Sequence, residues 1–150
     1  MHHELHTEID IDATPETVWD VLTDLGGYLE WNPFIVESSG DVVPGNRLVN
    51  RMQPPGGRAM TFKPRVTIVE PHRVLEWLGV LGVPGLFDGR HRFELGPTPS
   101  GGTRIVHTER FTGLLVRPLR ASLDTRTLEG ITAMNAALKS RAEALDRVRS

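Results

Sequence analysis

Near the C-terminus, Leu123, Thr127, Ile131, Met134, Leu138, Ala142 and Leu145 recur at spacings of four, four, three, four, four and three. That spacing lines one stripe of an α-helix. Between Phe34 and Phe111 the chain instead follows a period of two, in short runs broken by proline- and glycine-rich turns. A chain that changes from the strand period to the helix period so late has a long amphipathic helix to bury and a sheet to bury it on. The expected class is therefore α+β.

The first strand is expected over Glu4 to Ile11, with Leu5, Thr7, Ile9 and Ile11 on one face. Thr14 then suits a helix cap and Pro15 the first helical position, while Val18, Val21, Leu22 and Leu25 form the inward stripe and Gly26-Gly27 ends it. A second short turn carries YLEWNPF. Strands are expected at Phe34–Ser39, Arg47–Met52, Thr61–Glu70, Val74–Leu78, His91–Leu95 and Thr103–Phe111. Short loops such as Pro71-His72-Arg73 and GPTPSGG join them, so the sheet is antiparallel. One long helix opens at Pro118, with DTRTLEG marking a kink. Gly130 lies inside this helix, where it costs about 1 kcal/mol relative to alanine, so a strand or ligand should pass close to it.

Residues 1–150 fit one domain, and a fold of this size hides about 70% of its unfolded surface. Net charge is −2 and the arginines are scattered, which argues against nucleic acid as a partner. The chain has no cysteine, so disulfides, thiolate nucleophiles and cysteine-based zinc sites are excluded. No apolar signal segment opens the chain, and a cytoplasmic location is expected. Trp77 to Phe87 is the longest apolar run, too short and too glycine-rich to span a bilayer. This run is read either as a gate over a cavity mouth or as a loop pinned against the C-terminal helix. His2, His3 and His6 lie at a terminus expected to fray, and adventitious ion binding is all they imply.

RIVHTERF, Arg104 to Phe111, places His107 and Glu109 on the face that carries Ile105 and Phe111. The same alternation brings His91 inward with Phe93 and Leu95, and Trp77 inward with Leu75. Directly opposed residues on antiparallel strands sit about 5 Å apart at Cβ, so two histidines and a glutamate can share one site. Three readings stand. The polar groups satisfy one another structurally, they orient a ligand in an apolar pocket, or they perform acid–base chemistry. No spacing signature supports a metal site.

VWDVLTD followed by YLEWNPFI, the turn VEPHRVLEW and the ending GGTRIVHTERFTGLL before a C-terminal helix resemble the START-like, or SRPBCC, superfamily. Its members include birch-pollen-allergen-like proteins, lipid-transfer domains, polyketide cyclases and chaperone activators. The resemblance implies a helix-grip fold, with a seven-stranded curved antiparallel sheet around the long C-terminal helix and two short helices between strands 1 and 2. It also implies a hydrophobic cavity. Binding or transport of a small hydrophobic or amphipathic molecule is then the leading function, with His91, Phe93, Ile105, His107, Glu109, Phe111, Trp77, Ile131 and Met134 as lining residues. The alternatives are a cyclase- or dehydratase-like enzyme using His107 and Glu109 without metal, and a chaperone-activator-like interaction module. No cofactor is expected, and a homodimer is left open.

Overall fold

A computed structural model describes residues 2–150. Along these residues run β1 (His2–Ile11), α1 (Pro15–Thr23), a 3-10 turn (Leu25–Gly27), α2 (Tyr28–Trp31), β2 (Ile35–Ser39), β3 (Val49–Met52), β4 (Met60–Phe62) and β5 (Arg65–Glu70). There follow β6 (Val74–Val80), β7 (Asp88–Pro97), β8 (Thr103–Thr112), α3 (Val116–Ser122), a π-helical turn (Leu123–Thr127) and α4 (Leu128–Arg149). The result is an antiparallel α+β arrangement of helix-grip type, in which the long terminal helix lies against the sheet.

The expected seven-stranded sheet is divided. Five strands run in the order β1-β8-β7-β6-β5, and three form a second sheet, β2-β3-β4. The division falls at Lys63-Pro64, inside the stretch expected to be one strand from Thr61 to Glu70. Proline has no N–H to give to a ladder, so continuous pairing stops there. The two sheets remain linked across the break, where Leu48 N–H donates to Pro64 O (2.8 Å) and Val66 N–H to Asn46 O (2.8 Å). Register shifts at Ile35/Glu37 and Val66/Ile68 add local bends of the kind bulges produce.

β1 pairs with β8 along its whole length, from His2 opposite Thr112 to Ile11 opposite Thr103. The N-terminal histidines are thus held in a strand, contrary to the frayed terminus expected, because ten residues of ladder fix them. The helical end also departs from a single helix. It is interrupted at Leu123–Thr127, the region where DTRTLEG leads one to expect a kink. There the Thr125 hydroxyl donates back to Ala121 O (2.9 Å), a side-chain bond that competes with regular helix geometry.

The neighbour expected close to Gly130 is Phe34. A β-carbon at Gly130 would lie 2.3 Å from that ring. Phe34 is itself placed by Asn32, whose Oδ1 accepts from the backbone N–H of Phe34 (3.0 Å) and Ile35 (2.9 Å). WNPF therefore sets the chain's turn into β2 and presses an aromatic ring into a notch on α4.

Candidate functional site

Pairing across the five-stranded sheet arranges the inward side chains in rows. One row runs Thr7, His107, Phe93, Leu75. The next runs Leu5, Glu109, His91, Trp77, Val66. The third, at the edge of this face, runs His3, Phe111, Gly89, Gly79. Alternation alone thus brings together most of the residues selected from the sequence. Ile105 lies one row beyond His107, and Ile131 and Met134 are buried on α4.

A connected polar chain crosses the first two rows. The Thr7 hydroxyl donates to the backbone oxygen of His107 (2.8 Å) and accepts from Asn135 Nδ2 (2.8 Å). Asn135 Oδ1 faces His107 Nδ1 (2.6 Å), and His107 Nε2 is bonded to His91 Nε2. His91 Nδ1 lies 3.4 Å from Glu109 Oε1, an ion-pair distance. Among the described residues, no donor reaches the buried Glu109 Oε2. Trp77 packs on the His91 ring with centroids 5.0 Å apart, and Phe93 on His107 at 4.2 Å.

Burial, the largest cause, and the neighbouring His91 hold the His107 imidazole well below the ordinary histidine range, against the opposing pull of the Asn135 bond. His107 is neutral, and a neutral imidazole has one donor nitrogen and one acceptor nitrogen.

Asn135 was not among the residues selected from the sequence. Its signal was there: it follows Ile131 by four residues and precedes Leu138 by three, so it occupies a polar position on the buried stripe. Among the described residues, no group of three histidine or acidic side chains is arranged to hold a metal ion.

The expected cavity is not found around His107. Leu75, Phe93, Ile105, His107, Ile131, Met134 and Leu138 have 0% of their surface accessible. These seven side chains are packed against one another and their neighbours with no room for a water beside them. Two surface hollows lie elsewhere. One of about 540 Å³ runs along the outer flank of α4 beside Asp124, Leu128, Thr132 and Ala136. Another of about 270 Å³ lies among Leu78, Asp88, Arg90, Arg110 and Thr112. Neither is lined by the residues selected from the sequence.

The third row differs. Gly79 and Gly89 leave the sheet without side chains there; within 4 Å of a β-carbon at Gly79 lie only Gly89 O and Pro64 Cβ. Phe87 stacks on Phe111 at 5.3 Å. The apolar loop after β6 is pinned rather than free: Leu114 N–H donates to Gly85 O (3.1 Å) and Leu115 N–H to Leu86 O (2.9 Å), at the threshold of α3. Gly113 beside it has φ 118°, and a β-carbon there would meet Leu86 O at 2.5 Å, so this contact requires glycine. His3 Nε2 bonds Asp124 in the π-helical turn (2.6 Å), tying β1 to the helical end.

Several solved structures share this architecture. The Zhui aromatase/cyclase from Streptomyces sp. R1128 is 19% identical, with a TM-score of 0.80, covering 100% of this chain and 98% of its own. A START superfamily protein from Mycobacterium smegmatis is 21% identical, with a TM-score of 0.72 and coverage of 95% and 99%. Norcoclaurine synthase from Thalictrum flavum is 16% identical, with a TM-score of 0.74 and coverage of 97% and 96%. At such identities the likeness speaks for the fold. No curated protein matches the chain in sequence. Residues 2–143, nearly the whole chain, match the family described as polyketide cyclase / dehydrase and lipid transport, and the protein belongs to that family within the START-like superfamily.

Proposed function

We propose that this protein binds and carries a small apolar or amphipathic molecule, seated at the Glu109–Phe111 end of the concave face with its polar end toward Glu109. The observation that supports this best is Glu109 itself. Only 6% of it is exposed, and among the described residues one of its carboxylate oxygens has no hydrogen-bond partner. A buried polar atom without a partner costs about 1–3 kcal/mol, a cost that a ligand donor removes. Because the face is packed in this closed state, the guest enters when the 81–87 loop and α3 lift away from the third row. The His3–Asp124 pair and the Phe87–Phe111 stack would part, whereas the Leu114–Gly85 and Leu115–Leu86 backbone bonds join the loop to the start of α3 and would move with them.

Native mass spectrometry of the purified protein tests this reading. Mass in excess of the chain, lost on mild denaturation, is expected. Gly89→Leu, which builds a side chain into the third row, should reduce that occupancy while the far-ultraviolet dichroism stays unchanged. A protein that takes up no apolar compound under any condition would sink the carrier reading.

A second reading is acid–base catalysis of the cyclase or dehydratase kind, without metal. The neutral His107 in contact with a histidine–glutamate pair favours it, because such a relay can accept and return a proton. An enzyme would lose turnover in His107→Gln while still binding, whereas a carrier would show altered affinity alone.

A further inference from the structure

The direction of every hydrogen bond in the buried chain can be assigned by following protons from its far end. Thr7 has one hydroxyl hydrogen, committed to His107 O. Its oxygen can therefore only accept from Asn135, so the Asn135 amide presents NH2 to Thr7 and Oδ1 to His107. Oδ1 is an acceptor, and His107 Nδ1 must carry the hydrogen. His107 is neutral, so its Nε2 is a bare lone pair, and the hydrogen of the contact between the two rings belongs to His91 Nε2.

The hydrogens assigned in this way end at His91, whose Nδ1 faces Glu109 Oε1 at 3.4 Å. Beyond that contact lies Glu109 Oε2, buried and, among the described residues, without a hydrogen-bond partner. An ionised carboxylate oxygen only accepts, so the group missing at this atom is a donor.

We infer that the site selects an apolar ligand bearing a hydroxyl, whose O–H donates to Glu109 Oε2, over an otherwise equal ligand that can only accept. Thr7 and Asn135 are positioning residues, since they act on Glu109 through the two imidazoles. This inference rests on the binding reading above and narrows it to a ligand chemistry. It differs from an ordinary apolar pocket, which would rank ligands by surface area alone.

A matched pair of probes tests it: 2-naphthol and its methyl ether, 2-methoxynaphthalene, titrated against the full chain by calorimetry or fluorescence. The naphthol should bind at least about tenfold more tightly, as a hydrogen bond to a charged or strongly polarised acceptor allows. Glu109→Gln should keep the preference, because the amide can donate to His91 Nδ1 with its nitrogen and still accept from the ligand with its oxygen. Glu109→Leu should erase it, leaving the two probes within about twofold of one another. Equal binding by the wild type, or tighter binding of the ether, overturns hydroxyl selection and leaves the carrier reading standing. Binding of neither probe overturns hydroxyl selection, while the excess mass sought by native spectrometry still decides the carrier reading. Nitrogen-15 spectra of the histidine rings give a readout independent of ligand: His107 should be the Nδ1–H tautomer, and an Nε2–H signal for that ring would refute the assignment of protons.

Discussion

Two neighbouring rows of the same sheet face, one pleat apart, have opposite characters. In the row Thr7, His107, Phe93, Leu75, His107 Nδ1, Nε2 and backbone oxygen all have partners, and His107, Phe93 and Leu75 are sealed from solvent. In the row Leu5, Glu109, His91, Trp77, the same kinds of group end in an oxygen that has no partner among the described residues, next to a row in which Gly89 and Gly79 carry no side chains. The first row is a core that happens to contain an imidazole. The second is a core interrupted at one atom. Burial by itself therefore does not separate structural from functional polar groups; completion of their hydrogen bonds does.

Phe93→Ala is the strongest test of this contrast, since it empties the filled row. It should cost about 3–5 kcal/mol in urea unfolding, as loss of a fully buried aromatic does; a loss below about 1 kcal/mol would mean the row is not a packed core. Asn135→Leu should cost about 2 kcal/mol by leaving the His107 Nδ1–H buried without an acceptor. A neutral outcome would show that the imidazole was never held by that bond.

Acidity provides a graded version. His107 has a folded pKa below its unfolded one, so below about pH 6.5 the unfolded chain takes up a proton that the folded chain refuses. Stability should then fall as pH drops through that range, with a slope of up to about 1.4 kcal/mol per pH unit for this one proton, and should be level above it. Urea midpoints measured from pH 8 to pH 5 check the slope, and His107→Gln should flatten it. The smallest expected effect is on the other row: Glu109→Gln, which keeps a partner for His91 Nδ1 and leaves the pocket's shape unchanged, should shift stability by less than about 1 kcal/mol. A large destabilisation there would erase the distinction between the rows.

Much of this arrangement is legible in the residues. The alternation around His107 and Glu109 gives the inward face, and WNPF, Gly130 and DTRTLEG each mark a feature that the structure contains. The relation between β4 and β5 is less legible, because Thr61 to Glu70 alternates through Pro64 and only the lost backbone donor betrays the break. Filling of the interior is not legible either. Whether side chains meet across a concave face depends on the distance between sheet and helix, which no local pattern encodes. Glu76 is a further case. It sits at an outward position in its strand yet is buried, accepting from Arg90 Nη1 (2.8 Å) and Arg92 Nη1 (2.9 Å). Alternation assigns such a residue to solvent, and only the arginines on the adjacent strand explain why it is covered.

The residue that fixes the hydrogen on His107 belongs to α4, while the ring belongs to β8. Any displacement that raised the helix from the sheet would carry Asn135 off with it, and the imidazole would be free to exchange its tautomer. Shape and proton arrangement in this interior are consequently not independent variables: a molecule that props the two layers apart also rewrites the charge pattern it encounters.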